Sequence, residues 1–184
     1  MNLLAFSGSN SQQSINRALV DYAVTRLRDE ILPAISVTML DLNDYEMPIY
    51  SIDREKASGI PEPAQRFFDA IGAADGVLVS FAEHNGFVTS AWKNIFDWMS
   101  RIDGKVWQDK PLAMLAATPG GRAGANVLAS QETLAPFFGA TLKGTYGVGR
   151  WFDAWDKDQN RLVRSEDIEG VDDVLRNLVG AVEG

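Results

Sequence analysis

Gly76-Val-Leu-Val-Ser-Phe81 is a nearly all-apolar run closed by the polar turn Ala82-Glu83-His84-Asn85-Gly86. Six such residues are too few for an ordinary helix, and the lack of polar alternation predicts a strand covered on both faces, the mark of a parallel sheet interior. The same grammar repeats on both sides of it. Upstream, Leu3 to Ser7 reads as a strand, Ser7-Gly8-Ser9 as a turn, and Ile15, Ala18, Leu19, Tyr22, Ala23 and Leu27 as one face of a helix. Ser36 to Leu42 has the β-branched content of another strand, a polar loop containing Pro48 follows, and Pro61 opens a helix running to about Ala73. Downstream come a helix from Thr89 to Met99, a strand from Leu112 to Thr118, a helix from Gly124 to Phe138 and a strand from Thr141 to Val148. A polar hairpin-like stretch then leads to a last helix with Val171, Val174, Leu175, Leu178, Val179 and Val182 on one face. Five strands alternating with helices predict a doubly wound α/β sheet with helices on both faces, and 184 residues suit one domain, 1–184.

Residue supply excludes several chemistries. The chain has no cysteine, which removes disulfides, thiolate metal sites and thiol redox chemistry and fits a reducing cytoplasm. His84 is the one histidine, so multi-histidine metal sites are excluded and a Ser/His hydrolase would have to be built on it. A formal net charge of -8 with no basic stripe argues against nucleic acid. Leu112 to Ala117, the longest apolar run, is far too short for a membrane span, and Met1 to Ser9 lacks the form of a signal peptide. Asp156-Lys157-Asp158-Gln159-Asn160 starts like a calcium loop but lacks its glycine, and reads as a polar turn.

Ligands of open α/β sheets bind beyond the carboxyl ends of the strands, where strand order reverses. Three loops qualify. Ser7 to Asn16 crowds hydroxyl and amide side chains into the turn before a helix, where free N–H groups favour an anion such as phosphate; Ser14 is equally a good helix cap. Glu83-His84-Asn85-Gly86 follows the buried third strand and offers backbone N–H groups to a flat ligand. Thr118-Pro119-Gly120-Gly121-Arg122-Ala123-Gly124 lets a ligand approach the main chain, with Arg122 as its charge. Trp92 and Trp98, six apart on the helix after the second loop, are expected to point differently, one to the core and the other to a partner.

Together these loops resemble the flavodoxin-like NADPH-dependent FMN reductase family, which includes quinone, azo-dye and chromate reductases. The likeness covers about residues 2 to 150. Gly8, Ser9, Ser14 and Asn16 match the family's first loop; Glu83, Asn85, Gly86, Lys93, Asn94, Asp97 and Trp98 match the second loop and its helix; Pro119, Gly120, Gly121, Arg122 and Gly124 match the third. The resemblance implies a flavodoxin-like sheet of order 2-1-3-4-5 and FMN as cofactor, with NADPH or NADH as reductant. It further implies a flavin, quinone or similar small-molecule acceptor and a homodimer or homotetramer. It places Ser9, Ser11, Ser14, Ile15 and Asn16 at the FMN phosphate, Ala82, Glu83, His84, Asn85 and Gly86 along the isoalloxazine, and Pro119, Gly120, Gly121 and Arg122 on its other side. No catalytic proton-transfer residue is required, because the flavin carries the hydride chemistry.

Three positions depart from the family pattern. Ser11 stands where the family usually has Arg, removing a charged donor worth about 1.5–3 kcal/mol, or roughly 10- to 150-fold in affinity. An exchangeable FMN is the expected result. Ala82 replaces a proline and His84 a tyrosine; His84 keeps a flat ring, adds a proton donor and is expected to modulate quinone reduction. The alternatives are a flavin-binding electron-transfer protein without nicotinamide activity, or a protein that keeps the fold but has lost the flavin. The segment Trp151 to Trp155 stays open between covering the flavin, packing at a dimer and finishing the core.

Overall fold

In the computed structural model, which describes residues 1–183, the apolar runs form β1 (Asn2–Ser7), β2 (Ser36–Leu40), β3 (Gly76–Phe81), β4 (Pro111–Ala117) and β5 (Thr141–Val148). All four pairings are parallel, in the order β2-β1-β3-β4-β5. The flavodoxin-like order is therefore present, with the switch point between β1 and β3. Side-chain alternation divides the core in two. Leu3, Ala5, Leu78, Ala113 and Leu115 meet α1 (Ile15–Arg26) and α7 (Ser165–Glu183) on one face. Leu4, Phe6, Val77, Val79 and Met114 meet α3 (Glu62–Ala73), α4 (Ser90–Ile102) and α5 (Ala125–Leu134) on the other. Each Leu, Val, Phe or Met side chain buried this completely contributes about 1.5–3 kcal/mol, so two filled faces hold the strand ends in fixed register beneath the loops.

The differences from the sequence reading have local causes. β2 stops at Leu40 because Asp41 accepts a hydrogen bond from the Asn43 N–H at 2.9 Å and turns Leu42 to Tyr45 into a single 3-10 turn. The polar loop hides α2 (Ile52–Ser58), capped by Ser51 and burying no residue, so no apolar periodicity reveals it. α5 ends at Leu134, and Pro136, which lacks an N–H, sits in the tighter turn that continues to Phe138.

Trp92 and Trp98 correct an expectation: each is 1% exposed. Trp92 enters the aromatic core beside Phe6 and Trp107. Trp98 is covered by the loop after β2, where its Nε1–H donates to the Pro48 carbonyl at 2.7 Å. Asn94 fastens the same loop, donating to the Met47 carbonyl at 3.1 Å and accepting from the Tyr50 N–H at 2.8 Å. The long loop after β2 thus supplies the cover that helical spacing alone assigned to a partner.

After β5 the chain forms the short α6 (Trp151–Ala154) and a hairpin, β6 (Trp155–Asp156) with β7 (Arg161–Leu162). Its tip is the polar turn read from the sequence, since the Asp156 carboxylate accepts from the Asp158 and Gln159 N–H groups at 2.9 and 3.0 Å. α7 is tied to the sheet by Tyr146, whose hydroxyl donates to Asp167 at 3.0 Å; burial, then this hydrogen bond, push the phenol up to about 12. Among the described residues, no helix is long and apolar enough to cross a membrane.

Candidate functional site

The first loop is braced from within. The Ser11 N–H donates to Ser9 Oγ, the Ser14 N–H to the Ser11 carbonyl, and Gly8 is held between strands by its N–H to Ser80 (2.8 Å) and by the Thr89 hydroxyl on its carbonyl (2.7 Å). Ser14 caps α1, its Oγ accepting from the Arg17 N–H at 3.2 Å. The Ala18 N–H returns to the Ser14 carbonyl. That leaves the Ile15 and Asn16 N–H groups without an acceptor among the described residues, beside the hydroxyls of Ser9, Ser11 and Ser14. These two N–H groups and three hydroxyls form a donor set for an anion at a helix N-terminus.

Asn16 is 2% exposed, and its side chain turns away from that donor set. Its Oδ1 accepts from the Ala117 N–H and the Ser80 hydroxyl, both at 2.7 Å, while its Nδ2 donates to the Ala117 carbonyl at 3.0 Å. One amide thus pins the start of α1 to the ends of β3 and β4. Asn16 offers a ligand its main chain, and its side chain fixes where that main chain stands.

In the second loop, His84 and Phe87 exchange backbone hydrogen bonds at 2.8 and 3.1 Å across Asn85 and Gly86. Both turn residues have positive φ, 54° and 81°, the conformation that an Asn-Gly pair accommodates with least strain. Glu83 directs a carboxylate oxygen to the Val127 N–H at 2.9 Å, capping α5 from the neighbouring loop. The third loop is tied down by Thr118, whose N–H reaches the Val148 carbonyl, and by the Arg150 N–H on the Gly120 carbonyl. Gly124 is required there: its φ is +69°, and an added Cβ would lie 2.5 Å from that of Ala116. Arg122 is exposed and makes no ion pair among the described residues.

The three loops meet around one cleft of about 410 Å³. Of the residues expected from sequence, Ser9, Ser11, Ser14, Ile15 and Asn16 line it from β1 and α1, Ala82, Glu83 and His84 from β3, and Pro119, Gly120 and Arg122 from β4. Asn85, Gly86 and Gly121 do not. The first two form the turn that sets the direction of His84, and Gly121 faces a smaller cleft with Arg150 and Arg164. Gln13, Ala117 and Thr118 line the site without having been singled out. Ala117 closes β4 and Thr118 follows it, so the strand-end rule itself marks them. The volume is within the range of small-molecule sites, and the walls pair apolar Ala82, Ala117 and Pro119 with anion donors at one end. Such a donor set fits a flat ring carrying a phosphate.

Residues 1–152 match the family model described as NADPH-dependent FMN reductase. An NAD(P)H-dependent FMN reductase of Pseudomonas aeruginosa is 32% identical over 120 residues, covering 65% of this chain and 61% of that protein. A quinone reductase of Escherichia coli is 29% identical over 93 residues, covering 48% and 50%. The matches thus span about half to three fifths of those relatives' lengths. In fold, the chain is similar to a flavoenzyme NAD(P)H:(acceptor) oxidoreductase of Paracoccus denitrificans, with a TM-score of 0.78 at 22% identity over 99% of this chain and 97% of that one. With the sheet order, the three strand-end loops and a family match running through all of them, the chain belongs to the NADPH-dependent FMN reductase family.

Proposed function

We propose that the protein is an FMN-dependent NAD(P)H oxidoreductase that reduces free flavin, quinones or similar flat acceptors. The observation that carries this reading is the convergence of the three loops on one cleft, with the unpaired Ile15 and Asn16 N–H groups and the hydroxyls of Ser9, Ser11 and Ser14 at one end. These residues hold the phosphate of FMN. Ala82, Glu83 and His84 line one edge of its ring system, and Pro119, Gly120 and Arg122 the other. Asn85, Gly86 and Gly121 shape the turns that bring these residues in. The chemistry supplied by FMN at this position is hydride acceptance from NAD(P)H and delivery of reducing equivalents to the acceptor. Residues 1–184 act as one flavin-binding domain in the cytoplasm, the compartment that suits a cysteine-free chain. A homodimer or homotetramer, the assembly that the resemblance implies, completes this reading.

The direct test is steady-state oxidation of NADPH and NADH with a quinone acceptor at increasing FMN. The expected rate saturates with FMN; a rate that is zero at all FMN concentrations would contradict the assignment. His84 is exposed and lines the same cleft, so His84→Tyr is expected to alter the rate of quinone reduction. An unchanged rate would leave His84 with no part in quinone reduction.

A further inference from the structure

The third loop and the turn after β5 carry two cations, Arg122 and Arg150. Both are exposed, and among the described residues neither guanidinium enters an ion pair or a hydrogen bond. On a chain of formal net charge -8 they make a local positive patch. Arg150 is set in place by its backbone. Its φ is +49°, a left-handed conformation that a non-glycine residue keeps only under constraint. The constraint is visible: its N–H donates to the Gly120 carbonyl at 2.9 Å, and the Gly149 carbonyl before it accepts from Arg164 at 2.7 Å. The side chain then runs beside the third loop, where a β-carbon added to Gly121 would lie 3.5 Å from the Arg150 Nε. That loop divides two clefts. Pro119, Gly120 and Arg122 line the proposed flavin cleft, whereas Gly121 and Ala123 line a smaller one of about 220 Å³ together with Arg150, Arg164 and Glu166. Arg164 is already committed, paired with Asp167 and 3.9 Å from Glu166. Arg150 is thus the cation of the smaller cleft that has no acidic partner among the described residues.

We propose that Arg150, with Arg122 beside it, forms a subsite for a negatively charged substituent, a carboxylate or sulfonate, on the electron acceptor, and that the enzyme prefers anionic acceptors on this account. The assignment rests on the flavin reading of the adjoining cleft. Arg122 borders that cleft and Arg150 overlies the neighbouring residue of the same loop, so an anionic group at the edge of the cleft meets both charges. Guanidinium groups present forked donors that match a carboxylate or sulfonate. The size of the smaller cleft favours such a group: about 220 Å³ admits a carboxylate or sulfonate but not the nucleoside that carries the additional phosphate of NADPH. The contact lies away from the reacting ring and is made equally before and during electron transfer. It therefore acts on KM and leaves kcat alone.

The test compares wild type with Arg150→Asn, since asparagine tolerates the left-handed backbone and keeps the main-chain bond to Gly120. Each FMN-loaded protein is assayed with naphthoquinone and with naphthoquinone sulfonate, using NADPH and NADH in turn, and titrated by calorimetry with naphthalene sulfonate, which is redox-inert. Comparing the two proteins on one quinone cancels the difference in potential between the quinones. The variant is expected to raise KM for the sulfonated quinone about fivefold at unchanged kcat, the upper size of an exposed ion pair, and to weaken naphthalene sulfonate by the same factor. Both effects shrink as salt is added, while FMN affinity and the constants for neutral naphthoquinone stay as in wild type. Equal values for the sulfonated probes in the two proteins, or the same loss with both quinones, would overturn the subsite and leave the flavin reading standing. A higher KM for NADPH alone would assign Arg150 to the reductant and overturn the acceptor subsite. Failure of wild type to bind FMN would overturn both readings.

Discussion

Asn16→Ala is expected to destabilise the protein by about 3 kcal/mol or more, because it strips partners from three polar groups at once. The Ala117 N–H, the Ala117 carbonyl and the Ser80 hydroxyl all depend on this one amide, in a region where Asn16 is 2% exposed and Ser80 fully buried. A buried group left unsatisfied costs about 1–3 kcal/mol, and for a chain of this size each kcal/mol lowers Tm by about 2–4 °C. A fall of about 6–12 °C in thermal denaturation is the expected reading. Asn16→Asp separates donor from acceptor, since it keeps the acceptor for Ala117 and Ser80 but sets a carboxylate oxygen against the Ala117 carbonyl. It is expected to be destabilising too, and a loss below about 1 kcal/mol in both variants would contradict the pinning role.

Ser14→Asp addresses the site rather than the fold. Aspartate caps a helix about as well as serine, so the cap on Arg17 and the stability of α1 are expected to survive. The added charge stands where the proposed phosphate binds. Two like charges about 4 Å apart at an effective dielectric near 20 repel by about 4 kcal/mol, and even half of that weakens binding about 30-fold. FMN affinity is therefore expected to fall by at least that factor with Tm almost unchanged, read from a flavin titration beside a melting curve. Equal affinity for FMN in both proteins would place the phosphate elsewhere.

The sheet was legible because β3 and β4 are buried on both faces and leave no alternation to misread, and because β1 and α1 change period within a few residues. The candidate cleft was legible for a related reason: its lining follows strand ends, where the three loops converge. What escaped was whatever depends on contacts between distant segments. Trp98 gave no sign that Pro48 would cover it, and Asn16 looked like one more loop amide although its partners are 64 and 101 residues away. Glu83 likewise matched a loop motif, but its use as a cap for α5 depends on where Val127 comes to rest. The aromatic residues from Trp151 to Trp155 divided their roles in a way no spacing rule predicts, with Trp151 buried at 2% and Phe152 left at 74% exposure.

On the proposed reading, this cleft holds a flavin that NAD(P)H can reduce. The most direct test is titration of the purified protein with FMN, followed in the visible flavin spectrum, and then anaerobic addition of NADPH and NADH to the same cuvette. A saturable spectral change followed by bleaching is the predicted result, and the relative rates rank the two nicotinamides. Binding without bleaching would make the protein a flavin-binding electron carrier, and no spectral change at any FMN concentration would contradict the assignment of the cleft.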